Sequence, residues 1–210
     1  MDEFDYKYKI ILIGDSMVGK TSFFNRINQH IPLVSTVATI GVYLCKHTRV
    51  VDNKNIRICL WDTAGQEQYK SIVKCYFREV CGSILMFDVT NYSTFTHIER
   101  WIKMLKFENR CKHEHPILLL GNKTDKGYSN VPSHEIEKLC SEENISYYET
   151  SCNTDTIASL EKIFASLIEN IYLNKYDACI GIQDYNKINT NTNTNTTTKI
   201  IKEDTRVCCI

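Results

Sequence analysis

The sequence predicts an α/β domain built on a six-stranded mixed sheet, with one antiparallel strand and five flanking helices. Two observations predict it. Short β-branched and aliphatic runs alternate with helical patterns, which is the mark of βα units whose strands lie parallel and buried on both faces. Two of those runs are separated only by Asp52-Asn53-Lys54, too few residues for a crossover, so that one pair must run antiparallel.

In chain order, strands are expected at Lys7 to Ile13, Tyr43 to Val51, Asn55 to Trp61, Ser83 to Val89, Pro116 to Leu120 and Ser146 to Thr150. Helices are expected at Lys20 to Gln29, Gln68 to Arg78, Thr94 to Asn109, Ser133 to Glu143 and Thr156 to Leu173. In the last of these, Leu160, Ile163, Phe164, Leu167, Ile168 and Ile171 recur at three- and four-residue steps, one apolar stripe for packing on the sheet. The domain is therefore expected over residues 1–173, with a tail over 174–210. Within the tail, Ile188 to Lys199 alternates asparagine and threonine and offers too little apolar surface to offset chain entropy, so disorder is expected there.

Composition narrows the function classes. The 25 lysines and arginines equal the 25 aspartates and glutamates, so no net field attracts a polyanion, and nucleic acid is not expected as a partner. The first residues are acidic and lack a secretory pattern, and apolar runs such as Ile117 to Leu120 are too short to span a bilayer, so a cytosolic chain is expected. The ten cysteines sit mostly in expected core elements and are read as small, reduced hydrophobes. The run Cys111-Lys112-His113-Glu114-His115 fits no zinc spacing and is read as a polar loop.

Between the first strand and first helix lies Gly14-Asp15-Ser16-Met17-Val18-Gly19-Lys20-Thr21, which matches G-x-x-x-x-G-K-[ST] in the strand-to-helix setting that motif requires. Its glycines let backbone N–H groups and the helix N-terminus surround a β-phosphate, while the Lys20 ammonium reaches β and γ oxygens. Asp15, Ser16, Met17, Val18, Gly19, Lys20, Thr21 and Ser22 are the candidate phosphate-side residues. Thr21 is placed to ligate Mg²⁺. Asp62, after the third strand, is placed to hold the same ion through a water, and Thr39 to complete its shell when a γ-phosphate is present. Gly65 can offer its N–H to that phosphate, and Gln66 can orient the attacking water. Asn122-Lys123-Thr124-Asp125 follows the fifth strand, and the Asp125 carboxylate can accept two hydrogen bonds from guanine at an edge where adenine has no such donor pair. GTP is therefore expected in preference to ATP.

Taken together these residues resemble the Ras-superfamily small GTPases over about residues 7–173, and within them the Rab family. The Rab likeness rests on Gly14-Asp15-Ser16, Ile40-Gly41-Val42, Trp61 to Glu67, Tyr76-Phe77-Arg78 and Met86 to Thr90. The resemblance implies the small G-domain version of the P-loop NTPase fold, GTP hydrolysis to GDP with Mg²⁺, and a further base-contacting motif at Glu149-Thr150-Ser151-Cys152. It also implies an exchange factor, a GTPase-activating protein, a GDP-dissociation inhibitor and an escort protein, with effectors read through Ile31 to Gly41 and Gly65 to Arg78. Val207-Cys208-Cys209-Ile210 resembles the double-cysteine ends that are prenylated in that family, implying a lipid anchor on the cytosolic face of a membrane, a cytosolic pool and a role in vesicle traffic. A flexible tail of this length would set the domain roughly 30 to 35 Å from its anchor.

Several positions depart from the family pattern. Pro32 stands where an aromatic ring is usual, Cys152-Asn153 where alanine and lysine are usual, and Tyr43-Leu44 where aspartate and phenylalanine are usual. Glu79 replaces a glycine. With Ser16 and Met17 where small glycines are usual near the γ-phosphate, and Pro32 in place of the ring, a second reading stays open, a GTP-loaded binding module with little hydrolysis. A P-loop ATPase or kinase is a third, and Asp125 argues against it.

Overall fold

The computed structural model describes residues 4–28, 42–63, 76–109 and 115–174. The strands are β1 (Tyr6–Ile13), β2 (Val42–Val51), β3 (Lys54–Thr63), β4 (Gly82–Asp88), β5 (Ile117–Asn122) and β6 (Ser146–Thr150). They form one sheet in the order β2-β3-β1-β4-β5-β6. Every neighbouring pair is parallel except β2 with β3. The helices are α1 (Lys20–Ile27), α2 (Tyr92–Thr96), α3 (Ile98–Glu108), α4 (Ser133–Glu143) and α5 (Ile157–Leu173), with a 3₁₀ turn at Thr124–Lys126.

The central strands read as unbroken apolar runs because both of their faces are covered. On one face Tyr8, Ile10 and Leu12 of β1, with Ile84 and Met86 of β4, pack against Phe23 and Ile27 of α1 and against Phe164, Leu167 and Ile171 of α5. On the other, Ile11, Ile13, Leu85 and Phe87 meet Trp101, Ile102 and Leu105 of α3 and Ile136 and Leu139 of α4. Consecutive residues of one strand thus serve opposite cores, the two-residue period of a pleated strand. The five cysteines among the described residues are free thiols, and Cys59, Cys81 and Cys152 are buried.

Three expectations are refined. The β2–β3 connection is a two-residue turn of Asp52 and Asn53, with Val51 paired to Lys54, and both turn residues have positive φ (48° and 60°). That is the geometry whose twist suits a hairpin, and asparagine and aspartate tolerate it best after glycine. Strands β3 and β5 run two residues further than their apolar runs, because polar Asp62, Thr63 and Asn122 keep the ladder hydrogen bonds going: Asp62 pairs with Leu12, and Asn122 lies between Asp88 and Thr150. The helix expected from Thr94 to Asn109 begins earlier, where Asn91 caps α2 by accepting from the Ser93 N–H, and it is interrupted at His97 before α3 resumes. Most of the helix expected at Gln68 to Arg78 lies outside the described residues.

His115, read as part of a polar loop, is turned inward. Its Nδ1 accepts from Asn109 Nδ2 at 2.8 Å and its Nε2 lies 2.8 Å from Ser83 Oγ, so the ring carries its proton on Nε2 and is neutral. In the middle of β2, His47 Nε2 and Asn28 Oδ1 meet at 2.5 Å, tying the strand to the end of α1.

Burial holds the His115 pKa down to about 4 from its ordinary 6.5. A folded-state value below the unfolded one means that the unfolded chain binds the extra proton, so stability falls as pH drops from 6.5 towards 4. At pH 5 this contribution is on the order of 2 kcal/mol. Urea unfolding at pH 7 and pH 5 should show a smaller acid-induced loss in His115→Asn than in the unaltered chain, and equal losses would contradict the assignment.

Candidate functional site

The carboxyl ends of β1, β3, β4, β5 and β6 lie along one edge of the sheet, the position where ligands bind in open α/β folds. The loop from Gly14 to Gly19 leaves β1 there and enters α1. Its tight path depends on two glycines. A Cβ on Gly14 (φ 141°) would stand 2.1 Å from the Met86 carbonyl oxygen, and one on Gly19 (φ 106°) would stand 2.1 Å from Asn122 Nδ2. Met17, at φ 65°, takes a left-handed conformation unusual for its residue type and is 59% exposed; Ser16 beside it is also exposed. No side chain caps the start of α1 and no acidic residue sits in its first turn, so its leading N–H groups stay directed at the loop.

Lys20 is 5% exposed, and its Nζ donates to the carbonyls of Gly14 at 2.9 Å and Asp15 at 2.6 Å. Burial lowers its pKa to about 8, against the raising influence of Asp62 and Asp15. Thr21 Oγ1 donates to Asp62 Oδ2 at 2.6 Å. Asp62 is fully buried, and among the described residues its Oδ1 meets no hydrogen-bond donor. Burial pushes its pKa up to about 6, opposed by the Thr21 hydrogen bond and by Lys20. A fully buried carboxylate with an orphaned oxygen beside a threonine hydroxyl suits a hard, oxygen-bound cation, so these two residues fit Mg²⁺. Ser22 follows on α1, half-buried.

At the other end of the site Asn122 joins two loops. Its Nδ2 donates to the Val18 carbonyl at 2.8 Å, and its Oδ1 accepts from the Cys152 N–H at 3.0 Å. Lys123, with φ 72°, pairs through Nζ with Asp88 Oδ2 at 2.7 Å. Asp125 is exposed, and Ser151 Oγ donates to its Oδ1 at 2.5 Å while Asn153 Nδ2 donates to Oδ2 at 3.3 Å. These bonds, Ser151 first, hold the Asp125 carboxyl below the usual carboxylate range. Ser151 Oγ also accepts from the N–H groups of Asn153 and Thr154, and Asp155 Oδ2 accepts from Thr150 Oγ1 and the Ser151 N–H. The Cys152 thiol is buried, which pushes its pKa up to about 12 and keeps it protonated.

The fold thus brings Asp15, Ser16, Met17, Val18, Gly19, Lys20, Thr21, Asp62, Asn122, Lys123, Asp125, Ser151 and Cys152 to one edge. Thr39, Gly65, Gln66, Cys208 and Cys209 lie outside the described residues. Sequence reasoning missed Asp88 and Asp155, which anchor the base-side loops, and His97 and Trp101, which contact Asp15. Asp155 could have been suspected as a carboxylate four residues past Ser151; the others are joined to the site only through the fold.

Removing the Asn122 side chain leaves the Val18 carbonyl and the Cys152 N–H buried without partners, so Asn122→Ala should cost about 2 to 4 kcal/mol in urea unfolding. A loss under about 0.5 kcal/mol would contradict the bracing role.

A sequence model of the Ras family matches residues 9–173. The chain is 37% identical over 172 residues to Ras-related protein YPTC6 of Chlamydomonas reinhardtii, covering 81% of this chain and 78% of that protein. With Ras-related protein RABA1b of Arabidopsis thaliana the identity is 36%, again over 81% and 78% of the two chains. GTP-binding protein ypt3 of Schizosaccharomyces pombe gives 36% identity with the same coverage. A sheet edge carrying a phosphate loop, a buried carboxylate and a base-side aspartate, in a chain that matches the Ras model over its whole domain, belongs to a member of the Ras family whose relatives carry Rab and Ypt names.

Proposed function

We propose that the chain is a Rab-like switch that binds GTP and GDP at this edge, hydrolyses GTP, and works in vesicle traffic from a lipid anchor on the cytosolic face of a membrane. The observation that carries it is the charge arrangement around Lys20 and Asp62. Among the described residues a buried ammonium rests on two carbonyls beside a buried carboxylate with an unpartnered oxygen, an arrangement suited to a bound polyphosphate and its cation.

In this reading Lys20 and the leading N–H groups of α1 take the β and γ oxygens. Thr21, Asp62 through a water, and Thr39 hold Mg²⁺, which when bound neutralises charge that develops during phosphoryl transfer. Gly65 offers its N–H to the γ-phosphate, and Gln66 orients the attacking water; no side chain forms a covalent bond. Asp125, held by Ser151 and Asn153, accepts from guanine, while Asn122 and Lys123 fix the loops that carry it. In this reading the chain turns over slowly by itself, and a GTPase-activating protein supplying an arginine in trans would accelerate it by about 10³ to 10⁵. An exchange factor would empty the site, effectors would read Ile31 to Gly41 and Gly65 to Arg78, and lipids on Cys208 and Cys209 would be handled by an escort protein and a GDP-dissociation inhibitor.

The exposed Met17, held at positive φ in the phosphate loop, favours one second reading: a GTP-loaded scaffold with little hydrolysis.

Stripped of nucleotide and refilled with magnesium present, the protein should take up GTP and GDP and leave ATP, and Asp125→Ala should lose that discrimination. Equal uptake of ATP, or none of either, would refute the proposal. In single-turnover hydrolysis Gln66→Leu should slow the reaction at least tenfold; an unchanged rate supports the scaffold. Tagged protein should collect on membranes, and a Cys208/Cys209 double-serine variant should stay soluble.

A further inference from the structure

Asp15 is used at both of its ends. Its main-chain carbonyl accepts from Lys20 Nζ at 2.6 Å. Its carboxylate is turned to the helices: Oδ2 lies 2.6 Å from His97 Nδ1, and Oδ1 accepts from Trp101 Nε1 at 2.9 Å. A carboxylate only accepts, so His97 must carry a proton on Nδ1 and donate it. His97 and Trp101 stand four residues apart, on one face where α2 gives way to α3. The Trp101 ring is 4% exposed and packed in the core between the sheet and α3, so its N–H is a fixed point.

The phosphate loop needs such points. Between Gly14 and Gly19, whose positive φ glycine takes freely, Met17 is held at φ 65°, a left-handed conformation that a non-glycine residue keeps only when its surroundings fix it. Asn122 holds the far end through Val18. Asp15 holds the near end, and through the same residue fixes one of the two carbonyls on which Lys20 rests.

We infer that His97 and Trp101 are positioning residues of the phosphate site: through the Asp15 carboxylate they set the loop carbonyl that places the Lys20 ammonium. Neither touches the phosphates, and the role rests on the nucleotide reading above. It joins the α2–α3 break, far from the base-reading loops in sequence, to the grip on the β-phosphate.

The test uses the full chain loaded with N-methylanthraniloyl-GDP and Mg²⁺, following its release. His97→Leu combined with Trp101→Phe should release the nucleotide about tenfold faster or more, the loss expected for two hydrogen bonds to a charged acceptor. His97→Asn, whose Nδ2 falls near the lost Nδ1, should stay within about twofold of the unaltered chain. In an Asp15→Ala background the double substitution should change release no further. A purely packing role would lower the unfolding temperature but leave release alone, or act equally without Asp15, and either result overturns the inference. So does a His97→Asn rate that matches His97→Leu. An independent readout is the ¹⁵N indole resonance of Trp101, which should move in Asp15→Ala while that of Trp61 stays put. A chain that takes up no nucleotide overturns the reading of the site, whereas a Trp101 resonance indifferent to Asp15→Ala overturns the hold itself.

Discussion

The two hydrogen bonds of the Asn122 side chain are the interaction on which the geometry of the site most depends. One amide reaches the phosphate loop at Val18 and the base-side loop at Cys152, so elements more than a hundred residues apart share a single anchor. Both bonds are buried, where a lost partner is expensive and a satisfied one fixes a unique arrangement. Gly19 is required by the same contact, since any side chain there would collide with the amide. The anchor can be shared because β5 continues past its apolar run and delivers Asn122 level with Asp88 and Thr150.

Around this anchor the site is electrostatically unbalanced. Burial works against the charged forms of both Lys20 and Asp62, and each is only partly compensated by its neighbours. Strain of this kind is uncommon in a structural ion pair and common where a ligand completes the set of charges. At the base end the opposite holds, because Asp125 already has two donors and is exposed, poised as an ordinary ionised acceptor. One end of the edge therefore carries incompletely compensated buried charge, the other an exposed carboxylate already held by two donors.

Much of this was legible in the sequence. Periodicity identified all six strands, the central ones most plainly because runs that feed two cores are apolar, and the short gap at Asp52-Asn53 revealed the antiparallel pair. The phosphate-loop motif, Asp62 and Asn122 to Asp125, which the fold brings to one edge, could be singled out because the proposed chemistry calls for fixed residue types at fixed local spacing. Strand ends were missed where polar residues such as Thr63, which donates to the Leu12 carbonyl, continue the ladder for reasons that lie on a neighbouring strand. The interruption at His97 was missed because that residue keeps helical dihedrals and hardly disturbs a hydrophobic stripe. Contacts such as Asp15 with Trp101, or Lys123 with Asp88, leave no local signature, since only the tertiary arrangement makes the partners neighbours.

The bond between Asn28 and His47 gives the chain that joins α1 to β2 two departure points on the same rigid frame. One end leaves from a buried asparagine at the foot of a helix, the other from the first residues of an edge strand paired throughout to β3. A helix end and an edge strand are thereby held to one another by an anchor in the middle of β2, where one side chain of each meets the other. The outermost strand is therefore fastened to the domain on two sides, by its ladder to β3 and by a side-chain bond to the end of α1.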